Sequence, residues 1–235
     1  MTNTSPTLPA TWKRPLQLRY SMKKFLIAIV LLLAAAPASA MTASELAARL
    51  QASYDKTRDL KADFTQVSVI KAMNIKKEGS GTLIIKKPGM LRYTYAKPER
   101  QEIIIRGDDL IMYIPSSNQV IKKTLSRELT GKTPTTFLAG LGKITGAFVA
   151  KTPPSGGKDA HGRWLLELVP KGENMGVERI ILALDPETFD IKDFSFVETS
   201  GNVNTISLSN IKINTGVKDS AFNFKIPRGA SLISE

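Results

Sequence analysis

Few side chains in this sequence belong to the types that perform catalysis or bind transition metals. There is one histidine, His161, and there is no cysteine. A serine hydrolase would need His161 as its base, but no Gly-x-Ser-x-Gly elbow precedes it, and the run Gly156–Gly162 around it is typical of a hairpin loop. Because zinc sites are built mainly from cysteine and histidine, a site of that kind is excluded, as are thiolate nucleophiles.

The acidic residues and a phosphate-loop-like motif are better explained by turns. Asp108-Asp109 and Asp185-Pro186-Glu187 fall at predicted tight turns, where aspartate hydrogen-bonds to its own backbone. Gly131-Lys132-Thr133 resembles the end of a phosphate-binding loop, but Ser126 stands where that pattern requires glycine. We therefore predict a protein that is not an enzyme and that holds no cofactor and no metal. A hydrolase with paired carboxylates is the less favoured alternative.

Apolar surface is the remaining candidate for a functional site. Residues 110–114 are apolar on both sides of a predicted strand, and Leu91, Tyr93 and Tyr95 recur with the two-residue period of another strand. These side chains could form an ordinary core. They could also line an apolar cavity, because a large curved sheet with few helices leaves room for one.

The first forty residues have the pattern of a secretory signal peptide. Lys23 and Lys24 precede the apolar stretch Phe25–Ala34, and the small residues Ala38-Ser39-Ala40 form a cleavage site. The apolar stretch is shorter than the roughly 20 residues of a membrane-spanning helix, which is the alternative interpretation. We predict that an exporting cell removes this segment after Ala40.

Cleavage would leave residues 41–235 as a single domain, soluble and monomeric in the periplasm. Residues 1–21 lack an apolar period, so they are either a wrongly assigned start or a long n-region of the signal. The chain has a net charge of +12, and five positive charges lie in the first forty residues without an acid, so residues 41–235 keep +7. Because the lysines and arginines are spread along the strands, nucleic acid binding is disfavoured and weak attraction to acidic partners is favoured.

An opening helix followed by short strands would position the apolar residues. Thr42 and Glu45 form a capping box, and apolar residues follow at four-residue spacing, which predicts an amphipathic helix. The period changes to two at Leu60, and the strands that follow are joined by short turns, as in an antiparallel meander. About ten or eleven strands are predicted, too many for a flat sheet, so the sheet should curl into a barrel or half-barrel. The strands after the first are predicted at 83–85, 91–95, 103–105, 110–114, 119–123, 163–169, 177–184, 189–197 and 202–213.

Segment 124–145 interrupts the two-residue period. Thr133-Pro134 is typical of a helix start, with an N-cap followed by proline at the first helical position. Phe137, Leu138 and Leu141 then share one helical face, while two glycines weaken the helix by roughly 1 kcal/mol each. Such an element could be a lid over the cavity, or a packing helix that closes one end of the barrel.

Several short motifs occur in a fixed order along residues 41–235. They are Phe64-Thr65-Gln66, Gly81-x-Leu83-x-x-Lys86-Lys87-Pro88-Gly89-x-Leu91-Arg92-Tyr93, Pro98-x-x-Gln101, Gly107, Tyr113-x-Pro115-x-x-x-Gln119-Val120 and Thr130-Gly131-Lys132-Thr133-Pro134. Any one of them would be a weak signal. Together, in one register, they resemble the LolA family of periplasmic lipoprotein carriers.

The resemblance implies a mainly β protein with a few helices, in which a curved antiparallel sheet forms an unclosed β-barrel. A helical lid would cover an apolar cavity for the acyl chains of lipoproteins. Such a carrier receives acylated lipoproteins from an inner-membrane ABC-type release complex and passes them to an outer-membrane lipoprotein receptor. Each buried methylene is worth about 0.8 kcal/mol, so acyl chains do not cross water unshielded. A carrier of another lipid or of a glycolipid is the alternative within this fold.

The resemblance also implies which residues form the site. In the family, the position of Lys87 holds an arginine that keeps the empty cavity shut, so Lys87 is expected to be the lid latch, bonded to carbonyls near residues 133–141. Lysine cannot form the planar two-point contacts of arginine, which implies a weaker latch. Thr135 and Thr136 stand where apolar lid residues are typical. The residues expected to line the cavity are Leu50, Phe64, Leu91, Tyr93, Met112, Phe137, Leu138 and Leu141.

Overall fold

The computed structural model describes Met1 and residues 41–125, 143–172 and 176–234. The elements discussed below belong to the unit Met41–Glu235. Its described parts contain a long helix, α1 (Ala43–Lys56), a short helix, α2 (Ile144–Ala147), and one large sheet. None of the described helices is both long enough and apolar enough to span a membrane.

Within the described residues the sheet has twelve strands, and their hydrogen-bonded order leaves it open. Neighbouring strands are antiparallel, except that β12 lies parallel to β6. The order is β12-β6-β5-β4-β3-β2-β1-β11-β10-β9-β8-β7, so β12 and β7 are the two edges. The strands are β1 (Asp59–Ile70), β2 (Ile75–Lys86), β3 (Met90–Lys97), β4 (Gln101–Arg106), β5 (Asp109–Ile114), β6 (Gln119–Thr124), β7 (Phe148–Lys151), β8 (Trp164–Pro170), β9 (Val177–Leu184), β10 (Ile191–Glu198), β11 (Val203–Ile213) and β12 (Ser231–Ser234).

The predicted fold class is confirmed, and the strand count is higher than predicted. Periodicity predicted a mostly antiparallel, curled sheet with a helix before it, and the family resemblance implied that the sheet does not close. The short edge strands β7 and β12 were not predicted, and β2 begins at Ile75 where residue 83 was expected. The first half of β2 lacks apolar alternation because residues 75–78 are exposed on both sides.

Two register shifts bend the central strands. One lies between Lys61 and Asp63, where β1 pairs with β11, and the other between Ser80 and Gly81, where β2 pairs with β3. Such bulges bend a strand and increase its twist. The three strands β11, β1 and β2 therefore curve around the interior that α1 covers.

The sheet buries a separate apolar cluster on each of its faces. The inner face carries Phe64, Leu91 and Tyr93, and it packs against α1 and the α2–β7 segment. The outer face carries Ile104, which packs against Val217 and Phe222 from the chain that follows β11. The larger cluster lies on the inner face, so this is where an apolar ligand could be held.

Helix α1 begins at the predicted capping box, which is confirmed. The Thr42 hydroxyl accepts from the Glu45 backbone N–H at 3.2 Å, and the Glu45 carboxylate accepts from the Thr42 N–H at 2.8 Å. Its apolar side buries Leu46, Ala47 and Leu50 against the inner face. The helix ends at the start of β1.

A buried carboxylate ties the start of β1 to the chain beyond β11. The Asp59 side chain accepts from the Thr215 N–H at 2.7 Å, from the Thr215 hydroxyl at 3.0 Å and from the Gly216 N–H at 3.1 Å. Burial opposes the charge on Asp59, but these hydrogen bonds outweigh it and lower its pKa. This network fixes the strand ends that surround the site described next.

Candidate functional site

An aromatic cluster forms the middle of the inner face. The Phe64 ring meets Tyr93 and Tyr95 edge-on, with centroid distances of 5.2 and 4.9 Å. The Tyr95 hydroxyl donates to Gln66 Oε1 at 2.7 Å. The inner face therefore becomes polar toward the C-terminal end of β1. Burial raises the pKa of both tyrosines, so they stay neutral phenols. The face is therefore most apolar where α1 lies over it.

A small cavity lies where the C-terminal half of α1 meets the strand ends. Its volume is about 50 Å³. Pockets that bind small molecules usually measure about 300–1,000 Å³, so this space is too small to hold such a ligand. It is lined by Leu50, Ser53, Tyr54, Thr57, Leu60, Ile85, Lys87, Phe189, Asp190, Ile191, Leu208 and Ile213.

Two contacts hold α1 against the loop between β9 and β10, on one side of this cavity. The Ser53 hydroxyl donates to Asp190 Oδ1 at 2.8 Å. One turn earlier in the helix, the Arg49 guanidinium lies 5.2 Å from the centroid of the Phe189 ring. Both contacts are made by partly exposed groups, and both would break if α1 moved away from the sheet.

Lys87 makes the third contact, from the end of β2 on the other side of the cavity. Its ammonium donates to the Tyr54 carbonyl and lies 3.0 Å from the centroid of the Tyr54 ring. Burial lowers the pKa of Lys87 to about 8, although nearby Asp55 acts in the opposite direction. A cation at this position also complements the negative end of the helix dipole.

The loop that faces α1 is held in a conformation unusual for its sequence. Phe189 has a φ of 61°, in the left-handed region. For a residue with a side chain this conformation costs roughly 1–2 kcal/mol. It is held by the Phe189 N–H, which donates to the Asp185 carbonyl at 3.1 Å, and it turns the ring toward Arg49. The strained residue thus stands at the border of the cavity.

The structure brings four of the eight predicted lining residues into one buried cluster. Leu50, Phe64, Leu91 and Tyr93 belong to the inner-face cluster, and of these Leu50 borders the cavity. Phe64, Leu91 and Tyr93 are packed core residues in this closed arrangement. Met112 is half-buried on β5 and is not among the residues of either apolar cluster described above. Phe137, Leu138 and Leu141 lie outside the described residues.

The predicted latch residue is at the cavity, with a partner that the sequence did not indicate. Lys87 reaches α1. The segment near residues 133–141, to which the sequence assigned its bond, lies outside the described residues. Ser53, Phe189 and Asp190 were missed because their contacts join distant parts of the chain. The four-residue spacing that placed Leu46 and Leu50 on one helix face also included Tyr54, and that spacing was the available signal.

Groups that could bind a metal are sparse in the part of the chain that the structure describes. No cluster of three or more histidine, cysteine, aspartate or glutamate side chains occurs among those residues. Among the described residues that line the cavity, the polar side chains are those of Lys87, Asp190, Ser53, Tyr54 and Thr57. This arrangement can hold a helix in place over an apolar interior.

Comparison with known proteins agrees with this geometry. A family model described as "Outer membrane lipoprotein carrier protein LolA" matches residues 55–225. An outer-membrane lipoprotein carrier protein of Methylobacillus flagellatus is 27% identical over 79% of this chain and 87% of its own length. One of Alkalilimnicola ehrlichii is 29% identical over 88% of this chain and 92% of its own length. A crystal structure of an uncharacterized conserved protein from Thermus thermophilus shares the fold, with a TM-score of 0.52 at 14% identity over 82% of this chain and 99% of that one.

Proposed function

The chain belongs to the LolA family of outer-membrane lipoprotein carrier proteins, and we propose that it holds the acyl chains of its cargo on the inner face of the sheet, in the place of α1. The family is a non-enzymatic transport family, its cargo is lipoproteins, and it implies a periplasmic location. The observation that carries the proposal is the closed inner face. Among the described residues, a continuous apolar cluster is covered by the amphipathic helix α1 together with the α2–β7 segment, and polar contacts hold the end of α1.

The energetics favour an exchange between α1 and acyl chains. Burying a leucine side chain is worth about 1.5–3 kcal/mol, so exposing Leu46 and Leu50 to water would cost about 3–6 kcal/mol. Each acyl methylene that enters contributes about 0.8 kcal/mol. About four to eight methylenes therefore offset the displacement of these two side chains. The empty protein stays closed, and a lipoprotein provides the energy that opens it.

The predicted lining residues fit this exchange. Leu50 lies on the helix that would leave, while Phe64, Leu91 and Tyr93 lie on the surface that it would uncover. Met112 would extend that surface along β5, since alternation places it on the same side as Leu110, which packs against the inner cluster. We assign the same role to Phe137, Leu138 and Leu141 on the strength of the family resemblance.

Lys87 acts as the latch through α1, since its bond to the Tyr54 carbonyl is present in the closed state. We expect Lys87→Leu to slow release of bound lipoprotein to acceptor membranes about ten- to a hundredfold. The reason is the loss of a charged hydrogen bond worth about 1.5–3 kcal/mol, which shifts the balance from the closed to the open state. Lys87→Arg should keep release at or above the parent rate, because guanidinium retains the charge and can reach two acceptors.

Lys86→Leu is the matched control for this experiment. Lys86 is the preceding residue on β2, but it faces outward, donates to the Val217 carbonyl at 2.8 Å and pairs with Asp219 at 2.5 Å. Its replacement should lower stability without slowing release. Equal release rates for Lys87→Leu and Lys86→Leu, at matched fractions folded, would contradict a latch at Lys87.

The partners that we propose follow from the family. An inner-membrane ABC-type complex would load the protein, and an outer-membrane lipoprotein receptor would take the cargo. Mass spectrometry of material extracted from the purified protein tests the cargo itself: acylated peptides support the carrier of lipoproteins. Free lipid or glycolipid in their place would indicate the other carrier class.

We also propose that residues 1–40 are a signal peptide and that residues 41–235 work as one domain. The support is the charge, the apolar stretch and the Ala38-Ser39-Ala40 pattern described above. N-terminal sequencing of the exported protein should begin at Met41. Recovery of a membrane-bound chain that still begins at or before Met22 would refute this proposal.

A further inference from the structure

The turn between β1 and β2 exposes apolar side chains that the carrier function does not use. We define the hairpin tip as residues 69–77. Within it Met73 is 61% exposed, Ile75 is 40% exposed and Val69 is 38% exposed. Water-exposed apolar side chains that occur together, unlike single ones, usually mark an interaction surface.

The hairpin tip projects from the sheet on one side. β2 pairs with β3 from Ser80 onward, and no described strand pairs with the outer edge of residues 75–79. On the other side, β1 stays paired with β11 as far as Val69. Asn74 closes the turn with a φ of 52°. The apex with Met73 is therefore convex, which suits insertion into a soft surface better than seating in a protein groove.

Lysines surround this apolar apex. Lys76 stands opposite Val69 on one face of the hairpin, and Lys77 lies on the other face, which also carries Ile75. Lys71 crosses the β10–β11 turn, where its Cδ lies 2.8 Å from the position that a Cβ on Gly201 would take. Positive charge thus encircles the apex on both faces and beside it.

Two glutamates lie near the three lysines of the hairpin tip, and the balance stays positive. Glu78 pairs with Lys76 at 2.7 Å, and both side chains are well exposed. In the β10–β11 turn, the Glu198 carboxylate accepts from the Ser200 hydroxyl at 3.0 Å and from the Asn202 amide at 2.9 Å. An exposed ion pair such as Lys76–Glu78 is weak, so Lys76 can exchange its partner for another anion.

We propose that the hairpin tip docks on the surface of an anionic phospholipid bilayer, with Met73, Ile75 and Val69 among the acyl chains and the lysines at the phosphates. Apolar residues bordered by lysine are the composition of interfacial membrane-binding segments. Free phosphate could pair with the lysines, but it would leave the apolar side chains of the apex exposed to water. The proposal goes beyond cargo carriage, because it concerns the empty protein and a surface at the opposite end of β1 from the cavity.

Sedimentation with vesicles tests the apolar part of the tip. The empty protein, as isolated from its producing cells, is mixed with vesicles of phosphatidylglycerol and phosphatidylethanolamine, or of phosphatidylcholine alone. Met73→Ser/Ile75→Ser should lower the partition coefficient on the anionic vesicles at least tenfold. Leu232→Ser/Ile233→Ser is the matched control, since it removes two side chains of β12 that are 49% and 38% exposed. That control should bind as the parent does.

A second pair of variants tests the charge. Lys76→Gln/Lys77→Gln should lower partition on anionic vesicles about thirtyfold at low salt, the factor that corresponds to about 1 kcal/mol for each lysine near such a surface. Lys61→Gln/Lys212→Gln removes the same charge from a cross-strand pair in the body of the sheet, and it should have little effect. Parent and variants should all bind phosphatidylcholine weakly.

Fluorescence reports the depth of the tip directly. In the Met73→Trp variant, anionic vesicles should shift tryptophan emission to shorter wavelength, and the parent protein should show no such shift. Two results would overturn the proposal: equal partition of the parent and both tip variants, or an unshifted spectrum when vesicles are bound. Either result would indicate that the hairpin tip contacts a protein instead of a membrane. None of these outcomes depends on lipoprotein binding, so failure of the membrane proposal would not contradict the proposed carrier function.

Discussion

Oxidation of a Ser53→Cys/Asp190→Cys variant is expected to reduce lipoprotein loading to the background of the assay, and reduction should restore it. The two native side chains meet at 2.8 Å across the border of the cavity. A disulfide there would fix α1 to the β9–β10 loop and hold the interior at its closed volume of about 50 Å³. That space is several times smaller than the roughly 300 Å³ at which ligand pockets begin.

The chain is well suited to this experiment because it contains no cysteine. The introduced pair is then the only source of thiols, and thiol titration shows directly whether the bond has formed. A disulfide requires a Cα separation of roughly 4.4–6.8 Å, so the yield of oxidation also reports how closely α1 approaches the loop.

Ser195→Cys/Thr205→Cys provides the matched control. These two residues face each other on β10 and β11, and their hydroxyls are 2.8 Å apart. A disulfide at that place joins two strands that stay together whether α1 is closed or displaced, so it should leave loading intact. If the fully oxidised Ser53→Cys/Asp190→Cys variant loads lipoprotein as well as this control, cargo does not enter beneath α1.

The inner face of the site could be predicted from the sequence because its signals are local. The capping box at Thr42 and the four-residue spacing of Leu46 and Leu50 placed the apolar side of α1. The two-residue period placed Phe64 and Tyr93 on one face of their strands, and both are buried in the inner cluster. Periodicity of this kind depends on neighbours in the chain, so one sequence is enough to read it.

The contacts that close the site could not be predicted because they join residues far apart in the chain. Ser53 and Asp190 are separated by 137 residues, and neither belongs to a motif with a known spacing. Lys87 was singled out through the family resemblance, but its contact with Tyr54 depends on how the end of α1 crosses the end of β2. Such a crossing is set by packing across the whole inner face.

The hairpin tip was missed for a different reason. Residues 75–80 contain two lysines, a glutamate, a glycine and a serine, which lack the alternation typical of a half-buried strand. They form a strand because β1 pairs with them residue by residue from Ile70 and Ile75 to Asp59 and Lys86. When pairing with a neighbouring strand determines that a segment is a strand, the segment's own sequence need not show the two-residue period.

Gly81→Ala is expected to lower the free energy of unfolding by at least about 4 kcal/mol, a large part of the roughly 5–15 kcal/mol that stabilises an ordinary folded protein. A Cβ on this residue would lie 2.0 Å from the Thr94 carbonyl oxygen and 2.9 Å from Tyr95 Cα. Both are backbone atoms of β3, so no side-chain rotation can relieve the overlap, and the two strands would have to separate at the bulge that bends them.

Gly79→Ala separates this effect from the general cost of a methyl group on β2. Gly79 is two residues earlier on the same strand, and a Cβ there would meet the Lys97 carbonyl oxygen at 3.3 Å, which a small shift can accommodate. Its cost should stay within about 1 kcal/mol, partly offset by the reduced freedom of the unfolded chain. Urea unfolding of the two variants decides between the explanations. Similar midpoints would mean that β2 and β3 can separate at Gly81 at little cost. Because Gly81 pairs with Phe64 across β1 and β2, the curvature beneath Phe64 would then not depend on the close approach of Gly81 to β3.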